Sequence, residues 1–334
     1  MRFIYLIILT VLLLTIILIN KTYEPFVSIK NPDIIIVTTL LGKAYAKRIS
    51  SEIKKINNSL TVSILNIKEL NERCDKIGNP KLIIVRAATP IDTDWIKCLT
   101  KMEKRGIKVV NPTSVLKLTS NKLLSSFHFI KKGLPHPDSK EGSKLKIPMT
   151  LNTIRHMLKF YNKIIIKPFT SRSQGIYVRV ITKDMTDTEI ISKINQIPTN
   201  QFVIQEFIPY KAIYRVIVIN NKALPLSYKD IPRPNKWRVS VCLNKNMKFI
   251  PNPPKKLLQT AERVQSSIYN GGVHFIDLFE VNENKYVISE VNTACRLLLH
   301  ERKAREAKHK YHNIAHYLAQ YYVSLVSPMK ATKI

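Results

Sequence analysis

Residues 81–86, Lys-Leu-Ile-Ile-Val-Arg, set four consecutive apolar side chains between two cations. A strand that is apolar on both faces has to be covered on both faces, which is the condition of an inner strand in a parallel layer. The flanking pattern agrees. Asp92 or Asp94 can cap a helix carrying Ile96, Leu99 and Met102 along one side, Gly106 stops it, and Ile107–Val110 supplies the next apolar run. Upstream, Asp33-Ile34-Ile35-Ile36-Val37 reads as another buried strand and Lys43–Ile56 as a helix. Strand, helix and strand at this spacing predict a parallel α/β layer in the first third of the chain.

Ahead of that layer, Phe3 to Ile19 is apolar except for Thr10, Thr15 and Tyr5. As a helix it would reach about 26 Å, the short end of what spans a bilayer. A membrane anchor over residues 1–22 is expected, with a cleaved signal peptide and a buried helix as alternatives. The compartment of the rest of the chain stays open, because Arg2 lies on one side of the run and Lys21 and Lys30 on the other. The formal charge of +31 points to a polyanionic partner, although a composition rich in Ile, Asn and Lys carries such a charge by itself. With 45% hydrophobic residues the chain is not a disordered basic tail. Cys74, Cys98, Cys242 and Cys295 are far apart and show no metal-ligand spacing, so neither a disulfide framework nor a zinc site is expected.

Beyond Asn111-Pro112 the pattern changes. A helix over about 121–132 ends at Gly133, and a polar loop runs through Lys146. Lys163–Phe169 forms a strand closing on Lys167, and a turn over Thr170–Gly175 returns as a strand at 176–181. Strands follow at Phe202–Ile208 and around a hairpin at Asn220-Asn221, then a helix from about Pro254 to Tyr269. The densest chemistry lies in a hairpin formed by Val273–Val281 and Tyr286–Asn292. A turn of two or four residues sets Asp277 opposite Glu290, with Asn292 on the face of Glu290; a three-residue turn breaks the alignment. Facing carboxylates need a cation between them, and three oxygen donors suit Mg²⁺. The alternative is a solvated face neutralised by nearby lysines. Lys167 at a strand end and Lys122 in the first turn of a helix suit a phosphate, or are ordinary surface lysines.

The ordered set of Asn121-Lys122, Lys167-Pro168 before a Ser-Gln-Gly turn, Gln205-Glu206-Phe207-Ile208, Tyr214-Arg215-Val216, Trp237-Arg238, Asp277 and Glu290-Val291-Asn292 resembles the ATP-grasp superfamily, specifically its RimK-type carboxylate-amine ligases. The resemblance implies an α/β (α+β ATP-grasp) fold: a pre-ATP-grasp α/β domain at 31–112, a small or lid lobe at 113–200, and a large lobe with the metal site at 201–326. It implies that Lys122 and Lys167 contact ATP phosphates, that the lid carries Gln174 and Gly175, and that Gln205, Glu206 and Phe207 form the hinge strand beside the adenine. Arg215 and Arg238 would line the catalytic groove, and Asp277, Glu290 and Asn292 would hold Mg²⁺ or Mn²⁺. The implied reaction joins an amine to a carboxylate by way of an acylphosphate, with ATP, unassigned acid and amine substrates and an acidic peptide as candidate partners. Four places depart from the family pattern: the lid, Ser171–Tyr177, keeps only Gly175; Ile213 stands where an acid would hold the ribose; Thr293-Ala294-Cys295-Arg296 replaces the small residues after the Glu-x-Asn motif; and Ser240 stands near where the groove commonly has Asn. A nucleotide-binding protein without turnover is therefore the second reading. The basic stretch Arg296–Lys310 offers a third, nucleic-acid or anionic-lipid binding. No zinc finger or helix-turn-helix accompanies that stretch, so nucleic acid is not an expected partner.

Overall fold

The computed structural model describes residues 31–87, 94–170, 177–232, 247–295 and 297–327. The expected anchor, the lid residues Gln174 and Gly175, and Arg238 lie outside the described residues. Among the described residues no helix is long and apolar enough to cross a membrane.

The first layer is a parallel sheet of β1 (Ile34–Thr38), β2 (Val62–Asn66), β3 (Leu82–Arg86) and β4 (Lys108–Val110), in the order β2-β1-β3-β4. Its helices are α1 (Lys43–Ile56), α2 (Ile67–Glu72) and α3 (Asp94–Lys104). The unbroken apolar runs are explained by two separate cores. Ile35, Val37, Ile83 and Val85 pack with Trp95, Leu99 and Met102 of α3, while Ile34, Ile36, Leu82 and Ile84 pack with Ile49 and Ile53 of α1. One expectation is corrected here: Cys74, just after α2, and Cys98 on α3 are joined by a disulfide, with Cα atoms 5.7 Å apart. Their wide spacing in sequence hides a proximity that the packing of α2 against α3 creates.

After α4 (Thr113–Ser120) and α5 (Lys122–Lys131) comes a small antiparallel sheet. It is built from β5 (Ser139–Ser143), β6 (Lys163–Pro168), β7 (Arg179–Thr182) and β8 (Gln201–Glu206), in the order β5-β8-β6-β7. The stretch expected to be a polar loop through Lys146 contains β5, an edge strand of Ser, Lys, Glu and Gly that no apolar alternation betrays. Helices α6 (Ile147–Phe160) and α7 (Asp187–Asn195) cover one face, where Ile164, Ile166, Phe202 and Ile204 meet Ile154, Met157, Ile190 and Ile194. Alternation leaves Lys167 and Gln205 on the opposite face.

The third sheet has the order β11-β10-β9-β12-β13 and is antiparallel throughout. Its strands are β9 (Ala212–Ile219), β10 (Lys222–Asp230), β11 (Lys248–Ile250), β12 (Val273–Asn282) and β13 (Lys285–Asn292). The β9–β10 turn uses Asn220 and Asn221 at φ 49° and 63°, the left-handed region that Asn tolerates better than other side chains. Helix α8 (Lys255–Ile268) covers Val216, Val218, Ile276 and Leu278. On the other face Ile217, Ile219 and Phe275 share a core with Ile34, Ile36 and helix α10 (Ile314–Val326), which follows α9 (Leu297–Glu306). The Asn111 side chain ties the layers together: its Nδ2 donates to the Val273 carbonyl at 2.7 Å and its Oδ1 accepts from the Val273 N–H at 2.9 Å.

Candidate active site

Three of the expected site residues lie in a row across neighbouring strands, because Arg215 on β9 pairs in register with Asp277 on β12, and Asp277 with Glu290 on β13. The alignment needs a particular hairpin. Its turn is two residues, Glu283 and Asn284, with Asn284 at φ 58°. Single-residue register shifts between Asp277 and Leu278 and between Glu280 and Asn282 then offset each other. Asp277 is thereby returned to a position opposite Glu290, while Asn292 stands opposite Phe275.

Within the row, Arg215 grips Asp277 with two parallel hydrogen bonds, Nε to Oδ1 at 2.7 Å and Nη2 to Oδ2 at 2.6 Å, and both residues are buried. Glu290 accepts from Lys122 Nζ at 2.7 Å. Lys122 is delivered by the start of α5, where the Asn121 side chain caps the helix by accepting from Leu123 and Leu124 N–H. The Lys122 N–H also donates to the Phe169 carbonyl at 2.9 Å, which fixes the helix start to the end of β6. One strand position back, Lys167 donates to Gln205 Oε1 at 2.7 Å, and Gln205 Nε2 donates to Ser139 Oγ at 2.8 Å.

The electrostatics match that geometry. Burial pushes Glu290 upward, but Lys122, Lys167 and Arg215 outweigh it and hold the carboxyl down at about 2. Burial and then the neighbouring Lys122 depress the Lys167 ammonium to about 7. Burial raises the Asp277 carboxyl even against the Arg215 guanidinium. His136 is held down to about 4 by burial and by Lys167. Arg215, Lys122 and a Lys167 that is half-charged near pH 7 thus surround two carboxylates in a largely buried site, an arrangement suited to a polyanion.

Asp277, Glu290 and Asn292 offer hard oxygen donors, and the Asn292 Nδ2 is buried without a partner among the described residues. Among the described residues no group of three or more His, Cys, Asp and Glu could hold a metal. Two carboxylates and one amide fit an ion that draws its remaining ligands from phosphate and water, as Mg²⁺ does. The strand expected as the adenine hinge is more restricted than its sequence implies. The Glu206 N–H donates to the Asp138 carbonyl and the Phe207 N–H to the Lys163 carbonyl, so a backbone contact from these two residues to a base would run through their carbonyls. Ile213 is buried in the core shared with the first layer and offers no ribose contact. A cavity of about 810 Å³ is lined by Asn121, Thr170, Glu141, Met149 and Gln201, with neither Asp277 nor Glu290 in its lining. Sequence reasoning assigned no role to Arg86, which ends β3 and reaches the loop after β13, donating to the Thr293 and Cys295 carbonyls. Its only signal was a cation closing an all-apolar parallel strand at the carboxyl end, where such sheets meet their ligands.

Residues 141–297 match the family model of the prokaryotic glutathione synthetase ATP-grasp domain. The chain is 28% identical over 200 residues to the glutamate–LysW ligase ArgX of Sulfurisphaera tokodaii, covering 57% of this chain and 66% of that protein. It is 26% identical over 172 residues to the glutathione synthetase of Buchnera aphidicola, covering 48% and 49%. The matched region therefore spans just under two thirds of the first relative and about half of the second. Among solved structures, the ATP-grasp ligase PsnB complexed with minimal precursor superposes with a TM-score of 0.64 at 14% identity over 88% of this chain and 99% of that one. The D-alanine–D-alanine ligase of Bacillus anthracis complexed with ATP does so with 0.63 at 14% identity over 89% and 99%.

Proposed function

We propose, from the premise that the chain belongs to the ATP-grasp superfamily, that it is an ATP- and Mg²⁺-dependent carboxylate-amine ligase. The observation that carries this reading is the row Arg215–Asp277–Glu290 facing Lys122 and Lys167, with oxygen donors and cations meeting at one place. Bound ATP would supply the phosphoryl group to a carboxylate oxygen with ADP leaving, an amine would then displace phosphate, and Mg²⁺ held by Asp277, Glu290 and Asn292 would supply neutralisation of phosphate charge. The protein's own residues bind and orient. Lys122 exchanges Glu290 for phosphate oxygens, freeing the carboxylate, while Lys167 turns from Gln205 to the same anion. Arg215 holds Asp277 in one rotamer through two bonds, so the carboxylate is pre-positioned rather than ordered on binding. Arg238 would stabilise charge on the group in transfer, and Gln174 and Gly175 would close over it.

We read residues 31–112, 113–200 and 201–326 as pre-ATP-grasp domain, lid lobe and metal-bearing lobe. Residues 1–22 are proposed as a membrane anchor. The named activities of the relatives favour an amino acid or peptide as substrate, and the excess of basic residues favours an acidic acceptor peptide. Phosphate release from ATP, assayed across candidate acids and amines with Glu290→Gln as control, tests the reading. Turnover in the wild type that the variant loses is the expected result. Tight Mg-ATP binding without turnover would favour the second reading, a nucleotide-binding protein, which the buried Ile213 at the ribose position supports. Absence of nucleotide binding would sink both.

A further inference from the structure

Arg86 is 8% exposed, and its guanidinium reaches from the first layer to the loop that follows the strand carrying Glu290 and Asn292. Nη1 donates to the Thr293 carbonyl at 3.3 Å and Nη2 to the Cys295 carbonyl at 3.4 Å. Its Cζ lies 5.0 Å from the centroid of the Phe275 ring. Phe275 is the cross-strand neighbour of Asn292, and Thr293 is the next residue in the chain. One side chain therefore touches the residue after Asn292 and the residue opposite it.

The way this charge is held argues for a role beyond packing. Among the described residues no carboxylate pairs with Arg86, and its Nε is buried without a partner. A buried cation supported only by carbonyls and an aromatic face is costlier than an apolar side chain of similar volume would be. An apolar side chain, however, could not reach two carbonyls in one plane, which the guanidinium fork does. Among the described residues nothing bonds the Asn292 Nδ2, so the direction of its amide oxygen depends on the backbone that carries it.

We infer that Arg86 is a positioning residue that clamps the end of β13 to the first layer, so that Asn292 presents its oxygen beside Glu290. The inference rests on the Mg-ATP reading of the site. It makes the first layer, which lies outside the matched ATP-grasp region, a contributor to metal binding.

The test compares nucleotide affinity with and without Mg²⁺ in the full chain for wild type, Arg86→Met and Arg86→Lys, with thermal unfolding recorded for each. Wild type should bind ATP more tightly with the metal. In Arg86→Met that enhancement should fall roughly tenfold, the usual effect of losing a residue that orients a metal ligand. Metal-free affinity should stay within about twofold of wild type, because no phosphate contact is removed. Arg86→Lys, which reaches one carbonyl instead of two, should fall between. A folded Arg86→Met with undiminished enhancement overturns the inference. If that variant does not fold, Arg86→Lys decides: a lowered melting temperature with the wild-type enhancement means the residue is structural only. Wild type showing no metal enhancement refutes the Mg-ATP reading itself, and the positioning role falls with it.

Discussion

Nucleotide binding above neutral pH should draw a proton onto Lys167. Burial and Lys122 hold its ammonium near 7 in the ligand-free protein, so at pH 8 roughly nine molecules in ten carry it neutral. A polyphosphate within reach favours the charged form and returns the pKa towards its ordinary range. Each binding event then takes up roughly 0.9 proton at pH 8 and roughly 0.5 at pH 7, and the association constant falls nearly tenfold for each further pH unit. Glu290, at about 2, stays ionised throughout, and His136, at about 4, stays neutral. Calorimetric titration with ATP in two pH 8 buffers of different ionisation enthalpy reads the uptake directly. Lys167→Arg keeps a cation that does not titrate, so it should bind with the uptake abolished. Uptake below roughly 0.2 proton in wild type, or equal uptake in Lys167→Arg, would refute the reasoning. The same depression has a signature in the free protein: the unfolded chain holds the extra proton between pH 7 and the ordinary 10.5, so this group makes stability rise with pH across that window.

Replacing Asp277 with Ala strands the buried Arg215 charge and should cost about 3–5 kcal/mol in urea denaturation; a loss under 1 kcal/mol would mean that water reaches the pair. Cys98→Ser should lower stability by about 3 kcal/mol, matched by reducing the wild type, since the bond closes a loop of 24 residues in sequence separation. A methyl group at Gly142 would run into the Phe202 ring, so Gly142→Ala should destabilise the small sheet by about 1–3 kcal/mol in thermal melts, and an unchanged melting temperature would contradict the packing.

Where an element is buried on both faces, or on one face with clean periodicity, the sequence announces it: α1 spans Lys43–Ile56 as expected, and β3 and α8 fall within a residue or two of their predicted limits. Strand β5 and the disulfide were not legible, because the first is a polar edge strand and the second depends on how two helices pack. The face-to-face placement of Asp277 and Glu290 was legible only as a condition on turn length, and it is met through two irregularities that no alternation pattern records. The ion pairs of Lys122 and Arg215 were beyond sequence reasoning altogether, since they join residues 168 and 62 positions apart. Arg86 escaped for a similar reason: its partners are backbone carbonyls more than two hundred residues downstream.

The division of the cores sets which parts can move. Among the described residues, 147–204 supply the small sheet's apolar interior, whereas one face of the first layer, one face of the third sheet and α10 share another. The small sheet, with an interior of its own, thus sits as a jaw beside a broader chassis built from the other two sheets. Hydrogen exchange should sort the same way, with β1, β3, β9 and β12 protected to one common free energy and β6 and β8 opening as a separate unit. A jaw with its own interior can move only by breaking or carrying the bond from the Lys122 N–H to the Phe169 carbonyl, so motion of the lysine at the tip of β6 is coupled to the Lys122–Glu290 pair.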